Sequence, residues 1–207
     1  MKLPNVDTHH EQKIIDVELN EIVNSMRCSS LSDEENKFIY DNLEVKRFSK
    51  GTLLLKEGQI NRISYYLIKG CVREYFLNDG EEKTTAFYTA GESVFNGGDK
   101  INQNPSSVFW ECATDCIMTL MTYEFEKEMF LRFPKTESEC KIAVENEYSA
   151  YKKDVNKYLV CSPEERYLTL LKSKPEIFQL VPQYHIASYL GVKPESLSRI
   201  RNRMRLS

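Results

Sequence analysis

Histidine is scarce: three of 207 residues, and two of them, His9 and His10, stand side by side near the N-terminus. A catalytic site built on a His-activated nucleophile has little to draw on. The six cysteines (Cys28, Cys71, Cys112, Cys116, Cys140 and Cys161) contain no C-x-x-C pair. A structural zinc needs four well-placed ligands, so no metal is expected. No run approaches the ~20 apolar residues that span a bilayer. The opening "MKLPNVDTHHEQK" lacks the apolar core of a signal peptide. The chain is therefore expected in the cytoplasm, away from membranes, with its cysteines as thiols. No paired carboxylates, nucleophile motif or phosphate loop stands at workable spacing, so no enzyme is expected.

Glycine is also sparse, and its placement divides the chain. Seven of the eight glycines fall between Gly51 and Gly98, and the eighth is Gly191. The stretch they punctuate alternates short runs rich in Tyr, Phe, Val, Thr and Ile with turn signals: "GTLLLKEGQ", "ISYYLIKG", "CVREYFLNDG", "EKTTAFYTAGE", "SSVFWECATDCIMTLMT". "NDG" is a strong hairpin turn. Such spacing predicts an all-β sandwich or barrel from about Val45 to Thr122. Before it, "LSDEENKFIYDNL" reads as a helix with Ser32 as N-cap and Glu35 completing a capping box.

After Thr122 the pattern turns helical. "YEFEKEMFLRFP" predicts a short amphipathic helix stopped by Pro134. Residues 135–161 then contain neither Gly nor Pro. Within them Val144, Tyr148, Tyr151, Val155 and Tyr158 recur at alternating four- and three-residue steps, an a/d stripe of about two heptads. The stripe packs either on its own domain or on a second copy. The sandwich can cover only one end of a helix roughly 35 Å long, which favours a homodimer. Ser162, Pro163 and Glu165 open a further helix that ends at Pro175, and "EIFQLVP" reads as a short apolar link. The expected division is residues 1–134 for a sensor domain, 135–161 for a dimerisation helix and 162–207 for a terminal helical domain.

The net charge is only −3, so the whole chain is no polyanion binder by composition. The stretch from Lys193 to Ser207 differs: Lys193, Arg199, Arg201, Arg203 and Arg205 stand against Glu195 alone. A local basic patch of this kind suits phosphate. It overlaps "QYHIASYLGVKPESLSRIRNRM", which fits a helix-turn-helix place by place. Ile186 and Leu190 bury the first helix, and Ala187 sits where the second crosses closest. Gly191 falls where the turn needs φ > 0, and Val192 is buried in the turn. Pro194 suits the first turn of the second helix, which Leu197 and Ile200 bury. Glu195, Ser196, Ser198, Arg199 and Asn202 or Arg203 face outward. With Gln183, Tyr184 and Lys193 they are the candidate DNA-contacting residues. Glu195 and Arg199 share one helix face. Arginine forks to guanine, and glutamate accepts from cytosine N4. The plainer reading is a small helical hairpin.

A glycine-studded β-roll, a long helix and a terminal helix-turn-helix, in that order, resemble the Crp–Fnr family of bacterial transcription regulators. The specific points are "FSKGTLLLKEGQ", "YYLIKGCVR", "AGESVF" and "IASYLGVKPESLSRIR". The resemblance runs from about Leu31 to Arg205. It implies an α+β fold: an N-terminal β-roll, the cyclic-nucleotide-binding-like jelly roll, with flanking helices, then a dimerisation helix and a helix-turn-helix domain with little or no wing. It implies a homodimer on pseudo-palindromic double-stranded DNA, a small-molecule effector in the roll, and RNA polymerase as a further partner. Gly70 and Gly91 match roll corners, and Glu195 and Arg199 match the family's base-reading pair.

The departures are informative. Pro194 replaces an arginine common before that glutamate. Members that bind cyclic AMP carry Gly-Glu and Arg-Ser pairs around the cyclic phosphate. In "SVFNGGDKINQNPSSVF", Phe95-Asn96 and Ser106-Ser107 stand there instead. A buried phosphate without its cationic partner loses several kcal/mol, on the order of a broken buried ion pair, so tight cyclic AMP binding is not expected. Phe95, Asn96, Gly97, Gly98, Ser106 and Ser107 line a pocket for another effector or simply form turns. Only Cys28 precedes the roll where iron–sulfur members carry a cluster, and His9 and His10 lie outside the roll, so no cofactor is expected. Seven residues after Ile200 cannot make a wing. Either the wing is absent by nature or the chain has been shortened. The rival reading is a ligand- or partner-sensing module whose helix-turn-helix is purely structural.

Overall fold

The computed structural model describes residues 31–95 and 104–205. Helix α1 (Asp33–Asn42) starts where the capping box places it. Ser32 Oγ accepts from the Glu35 amide at 3.3 Å, and the Glu35 carboxylate accepts from the Ser32 amide at 2.6 Å. Eight strands follow: β1 (Glu44–Phe48), β2 (Leu53–Leu55), β3 (Ile63–Lys69), β4 (Cys71–Asn78), β5 (Glu81–Thr89), β6 (Ser93–Val94), β7 (Phe109–Cys112) and β8 (Cys116–Thr122). They form two antiparallel four-stranded sheets, ordered β1-β8-β3-β6 and β2-β7-β4-β5. The "NDG" signal is the β4–β5 hairpin. Asp79 and Gly80 both take positive φ, 52° and 80°, which matches the twist of the flanking strands. The ladder runs from Asn78↔Glu81 to Cys71↔Thr89, with a bulge between Glu74 and Tyr75.

Between the sheets lie Tyr65, Leu67, Val72, Val94, Trp110, Cys112, Cys116 and Met118. Each such large apolar side chain contributes about 1.5–3 kcal/mol on burial. Cys71, Cys112 and Cys116 are buried free thiols. Burial pushes the Cys71 thiol up to about 12, so it stays protonated. Among the described residues no group of three or more His, Cys, Asp and Glu is arranged to hold a metal.

Helix α2 (Tyr123–Arg132) leaves β8 directly, with Thr122 Oγ1 accepting from the Phe125 amide at 3.2 Å. Phe38 of α1 meets Phe125 and Phe133, with ring centroids 5.8 and 5.3 Å apart, and fastens the two helices together. Pro134 opens α3 (Pro134–Val160), whose 27 residues extend about 40 Å. Four helices complete the chain: α4 (Pro163–Ser173), α5 (Ile177–Leu180), α6 (Gln183–Leu190) and α7 (Pro194–Arg205). The segment expected as an apolar link, "EIFQLVP", is the one-turn helix α5. Ile177 and Val181, four residues apart, both reach the core from it. The core of α4–α7 is continuous with Cys71, Phe87 and Ala113 on the outer face of the second sheet. Among the described residues no helix is long and apolar enough to cross a membrane.

Candidate nucleic-acid interface

Helix α4 is started by a second capping box, Ser162 with Glu165, and by Pro163 at its first position. The two Ser162 hydrogen bonds hold the Glu165 carboxyl below its ordinary range. Helix α6 ends at Gly191, whose φ of 68° closes the turn. The Gly191 amide donates to the Ser188 carbonyl and the Val192 amide to the Ala187 carbonyl, at 3.1 and 3.0 Å. A Cβ on Gly191 would come 2.7 Å from the Tyr158 hydroxyl, the outer end of a side chain, so the positive φ is what favours glycine here. Ile186, Ala187, Leu190, Leu197 and Ile200 are all buried, each at the place the motif assigns it.

The outward face of α7 is equally complete. Glu195, Ser198, Arg199, Asn202 and Arg203 are exposed, with Ser196 half-buried beside them. Gln183 and Tyr184 at the start of α6, and Lys193 in the turn, are exposed too. Arg199 Nη2 donates to Ser196 Oγ at 3.3 Å, which holds the guanidinium along the helix. Arg203 pairs with Glu164 in the first turn of α4. A groove of about 690 Å³ runs between that turn and Ser196, Arg199, Asn202 and Arg203. Of the candidate DNA-contacting residues, Ser196, Arg199, Asn202 and Arg203 are brought together along this groove.

The α3 stripe is uncovered within the chain: Val144, Tyr148, Tyr151, Val155 and Tyr158 are 37–66% exposed. Tyr158 has a second role that its heptad position does not reveal. Its ring lies 4.3 Å from the Arg166 guanidinium, against the Gly191 turn.

The effector candidates are only partly described. Asn96, Gly97 and Gly98 lie outside the described residues. Phe95 is half-buried just after β6, and Ser107 is exposed. Ser106 is buried, and its hydroxyl both accepts from the Val108 amide and donates to the Val108 carbonyl, at 3.1 Å each. That is the geometry of a turn. Sequence reasoning missed Glu74, on the inner face of β4 two residues after the core residue Val72. Its carboxylate accepts from Trp110 Nε1 at 3.0 Å, Tyr88 at 3.3 Å and Thr85 at 2.8 Å. A charged residue at an inward place of "CVREYF" was the available signal.

No protein-family model matches the chain, and no curated protein matches it. Solved structures do. The chain superposes on FixK2 from Bradyrhizobium japonicum with a TM-score of 0.67 at 16% identity, covering 79% of this chain and 85% of that one. The c-di-GMP-responsive global regulator CLP of Xanthomonas campestris gives 0.64 at 17% identity, covering 84% and 92%. A CooA mutant from Carboxydothermus hydrogenoformans gives 0.60 at 16% identity, covering 81% and 78%. These are Crp–Fnr regulators. The chain has the Crp–Fnr fold. The α+β architecture of roll, long helix and terminal helical domain is that of the Crp–Fnr fold.

Proposed function

We propose that the chain is a homodimeric, sequence-specific DNA-binding transcription regulator. The observation that carries this reading is α7: its apolar side is filled from within the chain, while Glu195, Ser198, Arg199, Asn202 and Arg203 face solvent together. Such a helix enters the major groove N-terminus first, with Glu195 and Arg199 on base edges and the following arginines on phosphates. The exposed α3 stripe supports pairing with a second copy, which would set two recognition helices about 34 Å apart on an inverted repeat. RNA polymerase is the further partner this reading implies.

The effector of this reading is not a cyclic nucleotide. Phe95-Asn96 and Ser106-Ser107 stand where cyclic-AMP-binding members of the resembled family carry Gly-Glu and Arg-Ser, and without the arginine a buried phosphate lacks its cationic partner. Selection of genomic fragments on the purified protein at moderate salt tests the function. Recovery of an inverted repeat, with affinity falling steeply as salt rises, is the expected result. Fragments of random sequence, or binding indifferent to salt, would favour a structural helix-turn-helix.

A further inference from the structure

The helical domain is docked on the roll through an apolar core shared with Cys71, Phe87 and Ala113, and beside that core through a set of polar contacts. Helix α6 lies along the free edge of β5. The Thr84 amide donates to Ser188 Oγ at 3.0 Å, and Ser188 Oγ donates to the Glu82 carbonyl at 3.2 Å. Tyr189 packs on Phe87 with ring centroids 5.4 Å apart. Lys174 donates to the Phe87 carbonyl and to the Glu92 carboxylate, each at 2.6 Å. At the centre is Arg73, only 2% exposed. Its Nη2 donates to Glu82 and Glu111 at 2.6 Å each, and its guanidinium lies 4.0 Å over the Tyr75 ring. Its Nη1 lies 2.6 Å from His185 Nδ1. Arginine is always a donor, so Nδ1 must be the acceptor, and a doubly protonated imidazole has no acceptor left.

We propose that Arg73 and His185 form a pH-sensitive latch: neutral His185 holds the helical domain on the roll, and protonated His185 releases it. The groups facing His185 are Arg73 on β4, Glu82 on β5, Glu111 on β7, Lys50 before β2, and the neighbouring Tyr184 ring. Burial and Arg73 disfavour the imidazolium, and Glu82 and Glu111 offset part of that. The net effect lowers the His185 pKa from 6.5 to about 4 in the docked form. The depressed value fixes the sign. The latch is at full strength above the free-histidine pKa and is lost as pH falls from 6.5 towards 4. The base-reading residues stay exposed while docked, so the latch sets where α7 points rather than whether it is covered. That consequence rests on the DNA-binding reading; the contact does not.

The test is amide hydrogen exchange on the full chain without DNA, expressed as protection factors. The Thr84 amide reports the latch, and amides of the central strand β8 report the roll. Protection at Thr84 should fall roughly 30-fold between pH 7.5 and 5.0, the ratio that pKa values of 6.5 and about 4 dictate. Protection in β8 should stay constant. His185→Gln keeps an acceptor for Arg73 and removes the titration, so its Thr84 protection should not change with pH. Unchanged protection in the parent, or the same fall in His185→Gln, overturns the latch. Whether the protein selects DNA fragments has no bearing on this result.

Discussion

Helices α3 and α7 both turn much of their surface to solvent, but the two surfaces are of opposite kinds. On α3, Ile142, Val144, Tyr148, Tyr151, Leu159 and Val160 are exposed apolar groups. On α7 the apolar residues Leu197 and Ile200 are buried, and beyond Pro194 the exposed groups are charged or polar. The α3 face gains about 25 cal/mol for each Å² of apolar surface a partner covers, with little dependence on salt. The α7 face suits an anion, and its contacts weaken as salt screens them. One exposed face is apolar and the other polar and basic, which is the contrast the proposed function draws on. The ends of the two meet at Gly191, where Tyr158 of α3 packs against the turn that aims α7.

Substitutions can break this contrast at either helix. Leu197→Ala removes the fully buried anchor of α7 and should cost ~2–5 kcal/mol, read as a lower melting temperature. Tyr151→Glu should leave the fold intact and weaken self-association by ~2 kcal/mol or more, the scale of an interface hot spot. Sedimentation across a concentration series would read this as a shift to monomer. Arg199→Ala should leave melting and association unchanged while costing ~1–3 kcal/mol of discrimination at one base step. Binding to specific and random fragments measures that loss. The smallest change sharpens the contrast. Glu164→Gln frees Arg203 from its exposed ion pair, and DNA affinity at low salt should rise by about 0–1 kcal/mol.

The features legible in the sequence were those in which one place makes one demand. Gly191 takes positive φ, Ala187 is buried where the motif asks for a small residue, and Ser32 and Ser162 accept from an amide three residues on. Each rule is local, and each holds in the fold. The "NDG" hairpin belongs with them. What was illegible depends on distant residues meeting. Arg73, Glu82, Glu111 and His185 come from three strands and a helix, and no spacing along the chain announces them. Tyr158 was assigned by its heptad position, but its contact with Arg166 and Gly191 follows from where α4 folds back.

Strand β5 is the last strand of its sheet, and α6 supplies the cover for its outer edge. The roll and the helical domain are therefore poor candidates for separation by cloning. A fragment ending near residue 161 would carry an unpaired strand edge in water, together with an arginine that has lost its histidine partner. Open edges of that kind recruit other strands. The isolated roll should aggregate where the whole chain stays dispersed, so the roll inherits its dispersal from the helical domain that covers its edge.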